Sequence, residues 1–266
     1  MKKTFALLAA LCLAFGPGAA LASDNPAVSI LQRSVETMGE MSSVAVKGTL
    51  TAGVEGLVST AVYDGVLSVK IISEPLKMHM LFQVMGAKLE VYGEALDGTL
   101  HLYEWSGSRW NTQTLDVNFP PPAELDSEAL VAWLDSIEGL RIEGTEPVGD
   151  KEAWRLSATI NLREFLDGED LEEILGQAMG APAMGIFPPY EPVPVQIGAL
   201  VEGDTGRLLR VEIDLSRFVS GMLTRLTPTQ PGMQSAALVA EMKFELDFSD
   251  FDAVPDFEIP AQVRVQ

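Results

Sequence analysis

Cysteine is nearly absent from this chain of 266 residues: Cys12 is the only one, and His79 and His101 are the only histidines. A lone thiol closes no disulfide within the chain, and the supply excludes Cys/His zinc sets. Basic residues are also scarce, with 18 Lys and Arg against 38 Asp and Glu and a net charge of −20. Such a balance repels nucleic acid and anionic membrane surfaces at long range, and it also serves simple solubility. No Gly-rich phosphate loop, H-E-x-x-H helix or G-x-S-x-G elbow occurs. No nucleophile–base pair is recognisable, so an exported hydrolase has no motif behind it. The histidines fall on different predicted strands. A surface or hydrogen-bonded role is expected for them ahead of a metal or triad role.

Long apolar runs are missing too. The N-terminal run from Phe5 to Phe15 is too short to span a bilayer, and Gly16-Pro17-Gly18 breaks it. Lys2 and Lys3 precede it, and Ala20-Leu21-Ala22 offers small residues where a signal peptidase needs them. Residues 1–22 are therefore expected to be a secretory signal peptide cleaved after Ala22. Leu11 precedes Cys12 where a lipoprotein signal needs a small residue, so no lipid anchor is expected. Removing this segment takes away two lysines and no acid, moving the charge from −20 to −22.

What the sequence does have is alternation. Between Val193 and Leu215, the residues Val193, Val195, Ile197, Ala199 and Val201 share one parity. After Gly203-Asp204-Thr205-Gly206, so do Leu209, Val211, Ile213 and Leu215, while Gln196, Glu202, Arg210, Glu212 and Asp214 take the other. Period two across a Gly/Asp turn predicts a hairpin with one apolar face and one acidic, solvated face. The same pattern runs through Val44–Leu50, Val58–Val69, Leu76–Val84, Leu89–Val91, Leu100–Trp105 and Trp110–Leu115, a meander of about six strands. It returns at Leu140–Glu143, Ala153–Ile160 and Leu238–Phe248.

Helical spacing interrupts the strands. Asn25-Pro26 caps a helix of about four turns carrying Val28, Leu31, Val35 and Met38. Further helices are predicted with Leu130, Trp133, Leu134 and Ile137, with Leu162 through Met179, and with Phe218 through Leu226. Asn161 and Glu164 fit a capping box. An apolar, proline-rich loop from Gly180 to Pro194 carries Met184, Ile186, Phe187 and Tyr190. No linker divides residues 23–266, so one domain is expected. Its class is α+β: a curved antiparallel sheet, an unclosed half-barrel, with helices covering the concave face.

The opening helix leading into Met41-Ser42-Ser43-Val44-Ala45-Val46-Lys47-Gly48, the Trp110 hairpin, the Val193–Leu215 hairpin and the ending FELDFSDFDAVPDFEIP resemble the LolA-like lipoprotein-carrier superfamily. Within it, the chain is most similar to secreted LppX/LprG-like lipid-binding proteins. The resemblance implies an interior that holds acyl chains, no catalysis and no cofactor. It implies a lipid or lipoprotein acyl chain as partner, with an envelope protein as a further one, in an exported, periplasmic, envelope or extracellular setting.

The residues expected to line the cavity are Met80, Phe82, Trp154, Leu156, Ile213, Met242 and Phe244 from the strands. Phe165, Met179, Phe187, Met222 and Leu223 are expected to close it. Methionine is unbranched and polarizable and suits adaptable pockets, although the same residues fill ordinary cores. The acidic groups Asp247, Asp250, Asp252 and Asp167–Glu173 are expected to be solvated surface. Two functions stay open: a carrier for an amphiphile, or an envelope interaction or sensor module whose core is filled.

Overall fold

The computed structural model describes residues 24–55, 60–84, 86–96, 99–105, 107–116, 134, 137–161, 194–226 and 239–264. Helix α1 (Pro26–Gly39) opens the chain. Strands β1 (Ser43–Glu55), β2 (Thr60–Ile72), β3 (Lys77–Val84), β4 (Ala87–Leu96), β5 (Thr99–Trp105) and β6 (Trp110–Asp116) follow as the expected meander. A second run holds β7 (Glu138–Val148), β8 (Lys151–Asn161), β9 (Pro194–Glu202) and β10 (Leu208–Asp214). Helix α2 (Ser216–Leu226), strand β11 (Val239–Ser249) and the short helix α3 (Ala261–Arg264) complete it.

All eleven described strands join one antiparallel sheet in the order β6-β5-β4-β3-β2-β1-β11-β10-β9-β8-β7. Two meanders therefore meet where the first strand pairs with the last, Val46 opposite Phe248 and Leu50 opposite Phe244. Among the described residues the edge strands β6 and β7 do not pair with each other, so the sheet is unclosed. This is the large unclosed antiparallel sheet that the alternation predicts.

Asn25 caps α1 as expected, its Oδ1 accepting from the Ala27 N–H at 3.0 Å. Its side-chain amide also donates to the Leu140 carbonyl of β7. Arg33 donates to the carbonyls of Gly203 and Asp204, and Thr37 to that of Thr205, which ties the helix to the β9–β10 turn. The apolar side of α1 thus reaches the sheet: Ala27, Val28 and Met38 are buried in one cluster with Val46, Val69, Met80, Leu156 and Leu246.

Helix α2 does something the spacing did not suggest. Strand β10 ends opposite Lys243, leaving the first residues of β11 without a neighbour on that side. Ser216 Oγ accepts from the Met242 N–H, and Ser220 Oγ both accepts from the Ala240 N–H and donates to its carbonyl. Two hydroxyls one helical turn apart replace the missing ladder bonds, as buried backbone groups require.

One expected parity is wrong. Leu209 was placed with Val211 and Ile213, but the ladder skips a residue between Leu208 and Arg210. The bulge sends Leu209 to the opposite face, where it is buried with Ala153 and Leu200. That face is consequently not uniformly solvated. Elsewhere it carries ion pairs, from Arg155 to Glu146 and Glu212 at 2.9 and 2.6 Å and from Arg210 to Asp247 and Glu245 at 2.7 and 3.1 Å. Gly198, between Arg155's strand and Glu212's, gives that pair its passage: a Cβ there would lie 3.1 Å from Glu212 Oε2.

The closing segment crosses the same face. Asp252, at φ 57°, accepts from the Ser42 N–H and hydroxyl. Lys77 then pairs with Asp256 at 2.8 Å, and Ile259 and Val263 are buried against Tyr92, Tyr103 and Trp110. Arg264 grips Glu94 through Nε and Nη2 at 2.8 and 2.6 Å.

The expected signal segment 1–22, most of the helix expected around Leu130, the helix expected from Leu162 to Met179, and the expected loop from Gly180 as far as residue 193 lie outside the described residues. Of the predicted second helix Leu134 and Ile137 are described: Leu134 is buried in the main cluster and Ile137 packs against it.

Candidate functional site: the apolar face of the sheet

Strand register assembles the site. Ile142, Leu156, Ala199, Val211, Leu246, Gly48, Leu67, Phe82 and Leu89 face one another in a single row across nine strands. A neighbouring row runs Phe248, Val46, Val69, Met80 and Val91, all buried. The row on the other side runs Ala158, Ile197, Ile213, Phe244, Leu50, Gly65, Val84 and Ala87. Side chains of one parity point to one side of a pleated sheet, so these rows form one continuous apolar surface.

Its cover is uneven. Val46 is 1%, Val91 2% and Leu156 2% exposed, as a packed core demands. In the third row Ile197, Ile213, Phe244 and Val84 are only half-buried, although Ala158, Leu50 and Gly65 are buried. Met242 and Ile160, one step further, are half-buried as well, whereas Val195 and Ala240 are buried.

The strand residues expected in the cavity all lie on this face. Met80 and Leu156 are buried within its core cluster. Phe82 and Ile213 are half-buried and packed against that cluster, and Met242 and Phe244 are half-buried on β11. Trp154 shares the parity of Leu156 but stands at the hairpin end of β8, 37% exposed. Met222 and Leu223 lie in α2, where only the backbone is described, and Phe165, Met179 and Phe187 lie outside the described residues.

One residue here went unremarked in the sequence pattern. On β5 the inward parity reads Leu100, Leu102, Glu104. Glu104 continues the row of Val69, Met80 and Val91, and its neighbour across β6 is Asn111. Gln113, opposite Leu102, donates to Glu104 Oε2 over a long 3.5 Å. Burial pushes the Glu104 carboxyl above its ordinary value. The signal was available: a carboxylate where a leucine stripe should continue.

His79 and two members of the acidic run make structural contacts. His79 stacks on Tyr92 at 4.4 Å between ring centres and bonds Glu90 at 3.1 Å. Asp247 pairs with Arg210 and Asp252 binds Ser42. Among the described residues no group of three His, Cys, Asp or Glu side chains is placed to hold a metal, and no helix is long and apolar enough to cross a membrane. A cleft of about 490 Å³ does exist on the opposite, polar face, lined by Thr159, Pro194, Gln196, Asp214 and Arg217. It shares no residue with the apolar rows.

No family model matches the chain, and no curated protein does either. Among solved structures, the lipoprotein LppX of Mycobacterium tuberculosis is 13% identical over 89% of this chain and 100% of its own, with a TM-score of 0.46. LprF from Mycobacterium bovis is 15% identical over 88% of this chain and 97% of its own, also at 0.46. A LolA superfamily protein from Nitrosomonas europaea is 11% identical over 90% of this chain and 97% of its own, at 0.22.

Proposed function

We propose that this chain is an exported, non-enzymatic binding or carrier protein for an amphiphile, whose acyl chain lies on the apolar face of the sheet. The observation that supports this is the uneven cover of that face. A packed core would leave no row of large apolar side chains half-buried, yet Ile197, Ile213, Phe244 and Val84 stay so, two rows from the fully buried row of Val46. An acyl chain laid there gains roughly 0.8 kcal/mol per buried methylene, so its affinity needs no array of polar contacts. In this reading Phe82, Ile213, Met242 and Phe244 touch the chain, while Met80 and Leu156 form the floor beneath it. Residues 1–22 direct export, and Phe165, Met179, Phe187, Met222 and Leu223 close the site.

The test enlarges a wall. Ala158 sits in the third row beside Ile197, whereas Ala240 is 2% exposed with its backbone bonded to Ser220 and would strain under any large side chain. Ala158→Trp is therefore the informative variant, measured for melting temperature and for uptake of a fluorescent fatty-acyl probe. The carrier reading expects a small stability change and a large loss of uptake. A filled core expects strain of about 1–3 kcal/mol and no uptake even by the parent.

A further inference from the structure

The apolar parity of the sheet ends on a polar group. Across the described inward positions of the strands the residues are aliphatic, aromatic, methionine or glycine, apart from hairpin-end positions such as Thr145 and Glu152 and one cluster. That cluster is Glu104, Asn111 and Gln113, on β5 and β6 at the unpaired edge of the sheet. Leu102 on one side of Glu104 and Val91 across from it are buried, at 8% and 2% exposure. Glu104 is half-buried itself, and among the described residues its hydrogen-bond partner is the amide of Gln113 at 3.5 Å. The other half-buried or buried carboxylates fare better. Glu94 has Arg264 and Tyr103, Glu90 has Lys88, His79 and Tyr92, and Glu202 has Lys151 and Thr205.

Among the described residues, then, this carboxyl group is set into an apolar surface with one weak donor and has acceptor capacity to spare. Two amides beside it add both donors and acceptors. The charge of the chain, −20, and of Glu104 itself turns away a phosphate or carboxylate headgroup. Resting on the amphiphile reading above, we propose that Glu104, with Gln113 and Asn111, receives the headgroup of the bound amphiphile, and that this headgroup is non-anionic and rich in N–H or O–H donors. The tail then runs along the row of Phe82 and the half-buried row of Phe244, while the head stays at the β5–β6 edge, next to water. Amphiphiles with an ammonium head and those with a hydroxylated, sugar-like head share this chemistry.

Calorimetric titration of the full chain with three twelve-carbon probes, each below its micelle concentration, separates the cases: dodecylammonium, dodecyl glucoside and dodecanoate. Both donor probes are expected to bind at least about tenfold more tightly than dodecanoate, the worth of a hydrogen bond to a charged acceptor. Glu104→Gln keeps the shape and a carbonyl acceptor, so the ammonium probe should weaken about tenfold while the glucoside changes little. Glu104→Leu should weaken both and strengthen dodecanoate. A preference for only one donor probe, lost in the leucine variant, supports the site and names its source. Equal binding of all three probes, unchanged in both variants, overturns the headgroup site and leaves the acyl surface standing. Failure of every probe to bind the parent overturns the acyl surface and the headgroup site with it. The isosteric glutamine variant, checked by an unchanged melting temperature, keeps the outcome independent of misfolding.

Discussion

Leu156 and Phe244 stand on the same face of the sheet, on strands separated by β9 and β10, and their surroundings differ in kind. Leu156 is 2% exposed, with Ala199 and Ile142 as its cross-strand neighbours in the main cluster. Truncating it removes buried methyl groups and leaves a cavity, so Leu156→Ala should cost about 2–5 kcal/mol in chemical denaturation. Phe244 is half-buried between Ile213 and Leu50. Phe244→Ala should cost about 1–2 kcal/mol, since less area returns to water, yet it should weaken acyl-probe uptake more than Leu156→Ala does. Equal effects of both variants on stability and on uptake would mean that the face is one homogeneous core. Gly48 marks how tight its centre is. A Cβ there would come within 2.8 Å of a Leu246 methyl carbon and 3.0 Å of Leu67 Cβ, so the glycine is what lets these two leucines meet.

At the scale of elements, alternation carried most of what the sequence revealed. The six-strand meander, the Asn25 cap and the β9–β10 hairpin all follow from period two, capping and turn residues, because each is a local rule. Three features were not local. The bulge at Leu209 shows only in the register between β9 and β10, and it reverses one residue's face without altering the apolar pattern. The two serines of α2 read as polar positions on an amphipathic helix until β11 is seen to outrun β10. Glu104 is visible in the sequence, but its meaning depends on which face β5 turns inward.

The C-terminal segment adds one more to these, since its ending was recognisable while its target, the far side of β3–β5, was not. Burial alone would raise the Glu94 carboxyl, but Arg264 and the Tyr103 hydroxyl outweigh it and hold the group below its ordinary value of 4.5. A lowered folded value means that the unfolded chain takes the proton first. This stabilisation is therefore complete above the ordinary glutamate range and drains away as pH falls through the folded value. Arg264→Ala should leave a nearly buried carboxylate with Tyr103 alone and cost about 1–3 kcal/mol at neutral pH. Thermal melts from neutral pH downward should show that difference shrinking below pH 4.5 as the carboxyl protonates. A difference independent of pH would place the role of Arg264 in packing rather than charge.

On the scale of the whole molecule, two faces of one sheet divide the work. The polar face is closed by the C-terminal segment and cross-strand ion pairs, and the apolar face is roofed in part by α1. Sequence pattern distinguishes those faces but not how completely each is covered, because cover depends on elements far apart in the chain. The amphiphile reading rests on that difference in cover. Its most direct test is native mass spectrometry of the full chain purified gently from its own host, without detergent. The account predicts added mass from an amphiphile with acyl chains and a non-anionic head, released as the protein unfolds. A clean mass for the protein alone, together with no uptake of added acyl probe, would contradict it.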